Sequence, residues 1–158
     1  MTETLFINSA LVPFYQLILA MILGMVLGME RNIAGKRAGM RTYAMVSVAS
    51  CLLIIVASLV TEEFVGISNF DPLRTVSGII TGIGFIGAGI IIFRDSTTLE
   101  GLTTAAGLWI SAVIGITVGY GFYLIATFAT FLALFIFTVL WFFEEWTEER
   151  FRILFKKR

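Results

Sequence analysis

Five apolar stretches, each about as long as a membrane is thick, constrain the fold of this 158-residue chain more than any other feature. They cover roughly residues 11–28, 42–60, 75–93, 102–118 and 120–143. About 20 helical residues cross a hydrocarbon core of about 30 Å. A backbone in lipid must pair its polar groups internally, which helices do and open sheets do not. The sequence therefore predicts an all-α fold, a polytopic transmembrane helical bundle with five spans.

The composition also requires a solvent other than water for much of the chain. Hydrophobic residues make up 58% of the sequence and charged residues 14%, with a mean hydropathy of +0.96, whereas about 25% charged residues are usual in soluble domains. Histidine is absent and Cys51 is the sole cysteine, so no histidine base, disulfide or cysteine-rich metal site can form. We therefore expect a lipid-embedded protein that is not an enzyme, holds no cofactor and binds no nucleic acid.

The last two apolar stretches run together and need a turn between them. Residues 102–143 would form a single helix of about 60 Å, which is about twice the thickness of the hydrocarbon core. Gly119-Tyr120-Gly121 is the good helix breaker in this segment, and we predict the turn there.

The basic residues predict the orientation of the bundle. With five spans, every Lys and Arg except Arg74 falls on the side shared by the first loop, the third loop and the chain's end. Basic residues favour the cytoplasmic side, so we expect the N-terminus outside and the C-terminus inside. The prediction divides the chain into a membrane domain at 1–143 and a short, charged, amphipathic cytoplasmic tail at 144–158.

The glycines of the third stretch have two interpretations. GIGFIG at 82–87 has the spacing of a dinucleotide-binding loop, but it lies inside the uncharged run 75–93 without the strand and aqueous phosphate site that such a loop needs. Small residues four apart instead let transmembrane helices pack closely. We predict that spans three and four pack through Gly78, Gly82, Gly84, Gly87 and Gly89 and through Thr103, Gly107, Ser111 and Gly115. A narrow glycine-lined pathway or a hinge is the alternative.

Charged side chains gather at the ends of the predicted spans in two groups. On the cytoplasmic side, ordinary interfacial charges are the simplest interpretation, and one ion-pair network that serves as a recognition surface is the alternative. The residues concerned are Glu30, Arg31, Arg41, Arg94, Asp95 and Glu100. On the outer side, Asp71 is placed to cap the third span before Pro72, and Arg74 is placed to pair with Asp71 or Glu63. A magnesium site of Glu62, Glu63 and Asp71 is the alternative, because Mg²⁺ prefers oxygen ligands.

Several short motifs resemble signatures of the MgtC/SapB family of bacterial membrane proteins. They are Gly28-Met29-Glu30-Arg31, Ala38-Gly39-Met40-Arg41-Thr42, Asp71-Pro72-Leu73-Arg74, GIGFIGAG at 82–89 and GLTTAAGLW at 101–109. The resemblance implies an inner-membrane protein linked to growth in low Mg²⁺ and, in pathogens, to survival inside host cells. It further implies a regulator that binds other membrane proteins, such as ATP synthase or a sensor kinase of phosphate signalling.

The chain departs from the pattern of that family at three places. Many members carry a soluble domain after the last span, and this chain resembles a short member without it. Glu100 stands where a basic residue is frequent, which reverses one charge at the cytoplasmic face. Met40 and Tyr43 stand where Leu and often His are usual, so we expect no histidine-dependent pH response.

These observations favour a non-enzymatic regulator that contacts partner membrane proteins through its helices and interfaces, with the lipid bilayer as surrounding. The alternative is a small ion channel or transporter, for Mg²⁺ or another cation. Such a pathway would need several copies, because one short chain leaves little room for it. Polar residues of span two (Ser47, Ser50 and Ser58) or the glycines would line it. A homodimer or higher oligomer through the glycine faces follows from the same pattern.

Overall fold

The computed structural model describes residues 2–63, 71–93, 99–143 and 146. Its helices are α1 (Thr2–Ile33), α2 (Met40–Glu63), α3 (Pro72–Ile90), α4 (Leu102–Gly119) and α5 (Tyr123–Phe135). The last helix continues into a π-helical segment at Ile136–Leu140. A two-residue antiparallel pair, β1 (Ile92–Phe93) with β2 (Leu99–Glu100), joins α3 to α4. Most of the predicted tail at 144–158 lies outside the described residues.

The five predicted spans are confirmed. The helices contain apolar segments long enough to cross a membrane at Leu11–Ile33, Met40–Thr61, Leu73–Ile90, Leu102–Gly119 and Tyr123–Phe143. The chain is therefore a multi-pass membrane protein built as a helical bundle. The third helix ends at Ile90, three residues before the predicted limit, because Ile92 and Phe93 enter the strand pair instead.

Local sequence explains where the later helices begin and end. The Asp71 side chain accepts a hydrogen bond of 2.9 Å from the Leu73 backbone N–H, and Pro72 opens α3, so the predicted N-cap is confirmed. Gly101 precedes α4 with φ of 97°, and Gly121 separates α4 from α5 with φ of 82°. Glycine adopts this left-handed region at little cost, which confirms the predicted turn.

The core of the bundle is centred on α2 and α4. α1, α2 and α4 pack against one another, α5 packs mainly on α4, and α3 packs on α4 and less closely on α2. The fully buried large side chains come from the three central helices and include Leu27, Tyr43, Ile54, Leu108, Ile114 and Val118. Burial of these side chains against neighbouring helices is the dispersion packing that holds helices together in lipid.

α3 packs on α4, but most of its glycines lie away from that contact, so the predicted role of the glycines in this packing is not confirmed. A Cβ added at Gly78, Gly82, Gly84 or Gly89 would meet nothing within 4 Å, and one at Gly87 would meet the Ala105 Cβ at 3.5 Å. The side chains that α3 does bury are Ile79 and Ile83. Gly87 is therefore the predicted α3 glycine that faces α4, and Gly78, Gly82, Gly84 and Gly89 have open space instead.

The small residues of α4 do lie at close helix contacts, but against α2 rather than α3. A Cβ at Gly115 would collide with the Ser47 carbonyl oxygen, and one at Gly107 with the Tyr43 hydroxyl. The Ser111 hydroxyl donates to the Tyr43 carbonyl oxygen at 2.9 Å. Thr103, which the same pattern included, is exposed. The spacing of four residues thus identified a real contact face on α4, but the neighbour at that face is α2 and not the predicted α3.

Candidate functional site

Arg31 is a buried charge at the end of the first span. It lies in the last turn of α1 and is 4% exposed. Charged side chains are rarely buried unless they are paired. Its Nε and Nη2 both donate to the carboxylate of Glu30, the latter at 2.6 Å. Two parallel charge-assisted hydrogen bonds of this kind are among the strong ones in proteins.

The face of the Arg31 guanidinium is covered by an aromatic ring. Its central carbon lies 4.0 Å from the centroid of the Phe137 ring. A cation over an aromatic face is attracted by the ring quadrupole, and more strongly where water is excluded. Phe137 is 7% exposed and belongs to the π-helical segment. Such wide turns are rare and frequently occur at functional sites.

Tyr43 connects this end of the bundle to α4. It is fully buried, and its hydroxyl donates to the Thr104 carbonyl oxygen at 3.3 Å. The tyrosine hydroxyl and the Phe137 ring both approach Gly107, where a Cβ would displace them. Because Gly107 has no side chain, the Tyr43 hydroxyl and the Phe137 ring can both lie against α4 at this position. We call Glu30, Arg31, Tyr43, Thr104 and Phe137 the Arg31 cluster.

The short connection from α1 to α2 fixes the position of the cluster. The Ala34 N–H donates to the Glu30 carbonyl oxygen at 2.9 Å, and the Lys36 N–H to the Arg31 carbonyl oxygen at 3.0 Å. Gly35 reverses the chain with φ of 67°. A Cβ at Gly28 would lie 2.6 Å from the Met40 Cα, so the end of α1 lies directly against the start of α2.

Only part of the predicted cytoplasmic network is brought together. Glu30 and Arg31 are paired, whereas Arg41 is exposed and makes no ion pair with either of them in the described part of the chain. Glu100 is half-buried on β2 at the same end of the bundle. Arg94 and Asp95 lie outside the described residues. Among the described residues, the geometry thus defines a compact pair of Glu30 and Arg31, and the wider network stays a prediction.

At the opposite end, the Asp71 carboxylate is occupied as the N-cap of α3. Arg74 is exposed one residue beyond the capped N–H. The side chains of Glu62 and Glu63 lie outside the described residues, so the magnesium site with these two residues stays a prediction.

Sequence reasoning missed two kinds of residue at these sites. Phe137 is one of 15 phenylalanines, and nothing in its neighbourhood indicates a cation partner. Gln16 donates to the carbonyl oxygens of Val118 at 3.2 Å and Gly119 at 3.1 Å, at the far end of the bundle. The sequence did indicate that Gln16 bonds to another helix, because an amide inside an apolar span needs a hydrogen-bond partner.

The arrangement suits a fixed recognition surface better than chemistry on a bound molecule. The Nε and Nη2 edge of the Arg31 guanidinium donates to Glu30, and Phe137 covers its face. Exposed basic side chains stand around it on the loop and on the first turn of α2, and we call them the basic rim: Lys36, Arg37 and Arg41.

The chain is similar to the proteins of one family, and the matching region includes these residues. The profile of the MgtC family matches residues 17–146, which contain the whole Arg31 cluster. "Putative magnesium transporter YhiD" of Escherichia coli K12 is 39% identical over 129 residues, covering 78% of this chain and 58% of that protein. "Protein SapB" of Bacillus subtilis is 40% identical over 110 residues, covering 68% of this chain and 47% of that protein.

"Protein MgtC" of Brucella abortus is 39% identical over 101 residues, covering 64% of this chain and 40% of that protein. The chain thus spans between 40% and 58% of the length of these three relatives. No solved structure matches it.

Proposed function

This chain belongs to the MgtC family, and from that premise we propose that it regulates other membrane proteins by binding them. In this proposal it catalyses no reaction and conducts no ion by itself. Its setting is the bacterial inner membrane during adaptation to low magnesium, with the basic rim on the cytoplasmic side. The name of the Escherichia coli relative, which mentions magnesium, agrees with that setting.

The observation that carries the proposal is the filled centre of the bundle. Near the Tyr43 end, a Cβ at Gly24 would lie 2.8 Å from the Tyr43 carbonyl oxygen. Deeper in the bundle, the Ser47 carbonyl oxygen lies so close to Gly115 that a Cβ there would collide with it. Hydrated Mg²⁺ gives up its waters reluctantly, and backbone contacts this close leave no bore for it among α1, α2 and α4. A single chain is therefore better suited to binding a partner protein than to conducting Mg²⁺.

The basic rim supports an interface at this end. Lys36, Arg37 and Arg41 are exposed, and beneath them the Arg31 cluster fixes the ends of α1, α2 and α4. Exposed charges set the choice of partner and the rate of encounter through electrostatic complementarity. An acidic cytoplasmic surface of a membrane-protein partner has the matching charge.

Crosslinking at the rim tests the proposal. A photoreactive amino acid at Lys36 should capture another membrane protein in cells grown in low Mg²⁺. Arg41→Ala should insert normally, lose that adduct and fail to support growth in low Mg²⁺, while Arg41→Lys should retain both. Thr103→Ala is the matched control, because it trims an exposed side chain without changing charge. Capture of this chain alone, or full growth with Arg41→Ala, would contradict the proposal.

The orientation has its own test. Cys51, the sole cysteine, is fully buried, so a cysteine introduced at exposed Lys36 can be labelled selectively. An impermeant maleimide should label Lys36→Cys in inverted membrane vesicles and leave it unlabelled in spheroplasts. Labelling in spheroplasts would place the basic rim outside the cell and contradict the proposed topology.

A second candidate is an ion channel or transporter formed by several copies. Ser47 is the residue that bears on it, because its hydroxyl is fully buried and has no hydrogen-bond partner within the described residues. It would face an ion only if assembly of the copies moved α2 away from α4. Ser50, one turn further, is 3% exposed. Purified protein in liposomes should then pass Mg²⁺ or another cation, and Ser47→Ala should change the rate. Absence of flux under varied ion gradients and voltages would remove this candidate.

A further inference from the structure

A groove of about 650 Å³ lies open between α2 and α3. Its floor is formed by side chains that are at most 9% exposed, namely Val46, Ser50, Ile79 and Ile83. Its walls include Met45 and Leu53 on α2 and Thr75 and Ile86 on α3. Gly78 and Gly82 form the α3 edge, and a Cβ at either would meet nothing. We call this the α2–α3 groove.

The size of the groove fits an extended chain rather than another helix. Its lining runs from Met45 to Leu53 on α2 and from Thr75 to Ile86 on α3, which correspond to about 12 Å and 16 Å of helix. These lengths are about half of a hydrocarbon core of about 30 Å. A transmembrane helix that packed here would continue past the groove across the whole core, whereas one acyl chain extends through about half of it. An acyl chain is narrower and is apolar like the lining.

A positive charge stands at one end of the groove. Arg74 immediately precedes Thr75, is exposed, and makes no ion pair with any side chain that the structure describes. The neighbouring carboxylate, Asp71, is held by the Leu73 N–H as the helix cap. A guanidinium binds phosphate oxygens through paired hydrogen bonds.

We propose that the α2–α3 groove holds one acyl chain of an anionic phospholipid whose phosphate binds Arg74. The chain lies along the bare backbone at Gly78 and Gly82, where dispersion contact is closest because no side chain intervenes. The isoleucines of α3 and the side chains of α2 surround it. This inference is independent of the regulatory function proposed above.

Native mass spectrometry of the full chain tests it. The protein is reconstituted in vesicles of equal amounts of phosphatidylglycerol and phosphatidylcholine and released in mild detergent, and retained phospholipids are identified by mass. We expect one retained phosphatidylglycerol per chain. Gly82→Leu fills the groove and should lower the retained fraction about tenfold, and Arg74→Gln should lower the preference for phosphatidylglycerol by about tenfold.

Gly84→Leu is the matched control, because Gly84 is equally open but does not line the groove. It makes the same substitution on the same helix and should retain the lipid as the parent chain does. Equal retention by the Gly82 and Gly84 variants would overturn the proposal. So would Arg74→Gln with an unchanged headgroup preference, or a dimer without bound lipid that Gly82→Leu dissociates. Each variant is compared only as monodisperse protein, and Arg74→Gln changes an exposed site that the fold does not need.

Discussion

Two helices of this bundle carry small residues at the same spacing and use them in opposite ways. On α4, Gly107 and Gly115 lie against groups of α2 so closely that neither has room for a Cβ. On α3, Gly78 and Gly82 have open space. The spacing defines a face on its own helix in both cases. What lies opposite that face depends on where the other helices pack.

The difference separates a rigid part of the bundle from an adaptable one. The contact at Gly115 is with a backbone carbonyl oxygen, which cannot rotate away as a side chain can, and the contact at Gly107 is with the fully buried Tyr43. The α3 face presents backbone to the surroundings and is free to take lipid or protein. Substitutions in the first region should therefore cost stability, and the same substitutions in the second should not.

Gly115→Ala should give the largest effect in this comparison. Its methyl group would collide with the Ser47 carbonyl oxygen, so the backbones of α2 and α4 must separate. We expect a loss of about 3 kcal/mol in the free energy of unfolding, measured by denaturation with SDS in mixed micelles. Unfolding at the same SDS fraction as the parent chain would show that this contact is looser than described.

Arg31→Gln should come next. It removes a buried charge and leaves the Glu30 carboxylate, whose side chain is 19% exposed, without its partner. Breaking a fully buried pair costs about 3–5 kcal/mol, and partial exposure of the carboxylate reduces the expected loss to about 2 kcal/mol. Arg31→Lys should lie between, because lysine keeps the charge without the paired geometry. Exposed Arg41→Gln is the control, and an equal loss there would refute the assigned role of burial.

Gln16→Leu should have a smaller effect at the other end of the central helices. The amide ties α1 to the last two carbonyl groups of α4. Hydrogen bonds between transmembrane helices contribute about 0.6–1.7 kcal/mol, so we expect a loss of about 1 kcal/mol by the same denaturation assay. Gln16→Asn, which is too short to reach, should lose as much. Retained stability in both variants would mean that packing alone joins these helices.

Gly84→Ala should have the smallest effect and can have the opposite sign. Its methyl group meets nothing within 4 Å, and alanine favours a helix over glycine by up to about 1 kcal/mol. We expect unchanged or slightly raised stability by the same assay. A loss of stability comparable to that of Gly115→Ala would show that another helix or chain covers the α3 glycines in the assembled protein. The glycines of α3 and α4 would then have the same role.

Much of the architecture was predictable from the chain because lipid leaves few choices. Length and apolarity alone predicted the five spans, since a segment of this kind must form a helix. The Asp71-Pro72 cap and the turn at Gly121 follow from short-range chemistry that involves only neighbouring residues. These features need no knowledge of how the helices pack.

The contacts between helices were not predictable in the same way. Arg31 meets Phe137 through a wide π-helical segment that nothing in the local sequence indicates. The neighbour of the α4 glycines was misassigned because α3 carries small residues at the same spacing, whereas these glycines pack against α2. Tyr43 was noted only as a departure from the family pattern, and its role in linking α2 to α4 depends on a partner 61 positions away.

The ion pair at Arg31 has a consequence for how this end of the molecule can move. Because Glu30 is the adjacent residue, both charges travel with the same helix. If α1 slides or turns against its neighbours, the paired charges of Glu30 and Arg31 move together, so no unpaired charge is left in an apolar environment. Such a movement costs packing, namely the Phe137 ring contact and the close backbone contact between Gly28 and Met40. It does not separate the two charges, which is the electrostatic penalty that usually holds a buried arginine in place.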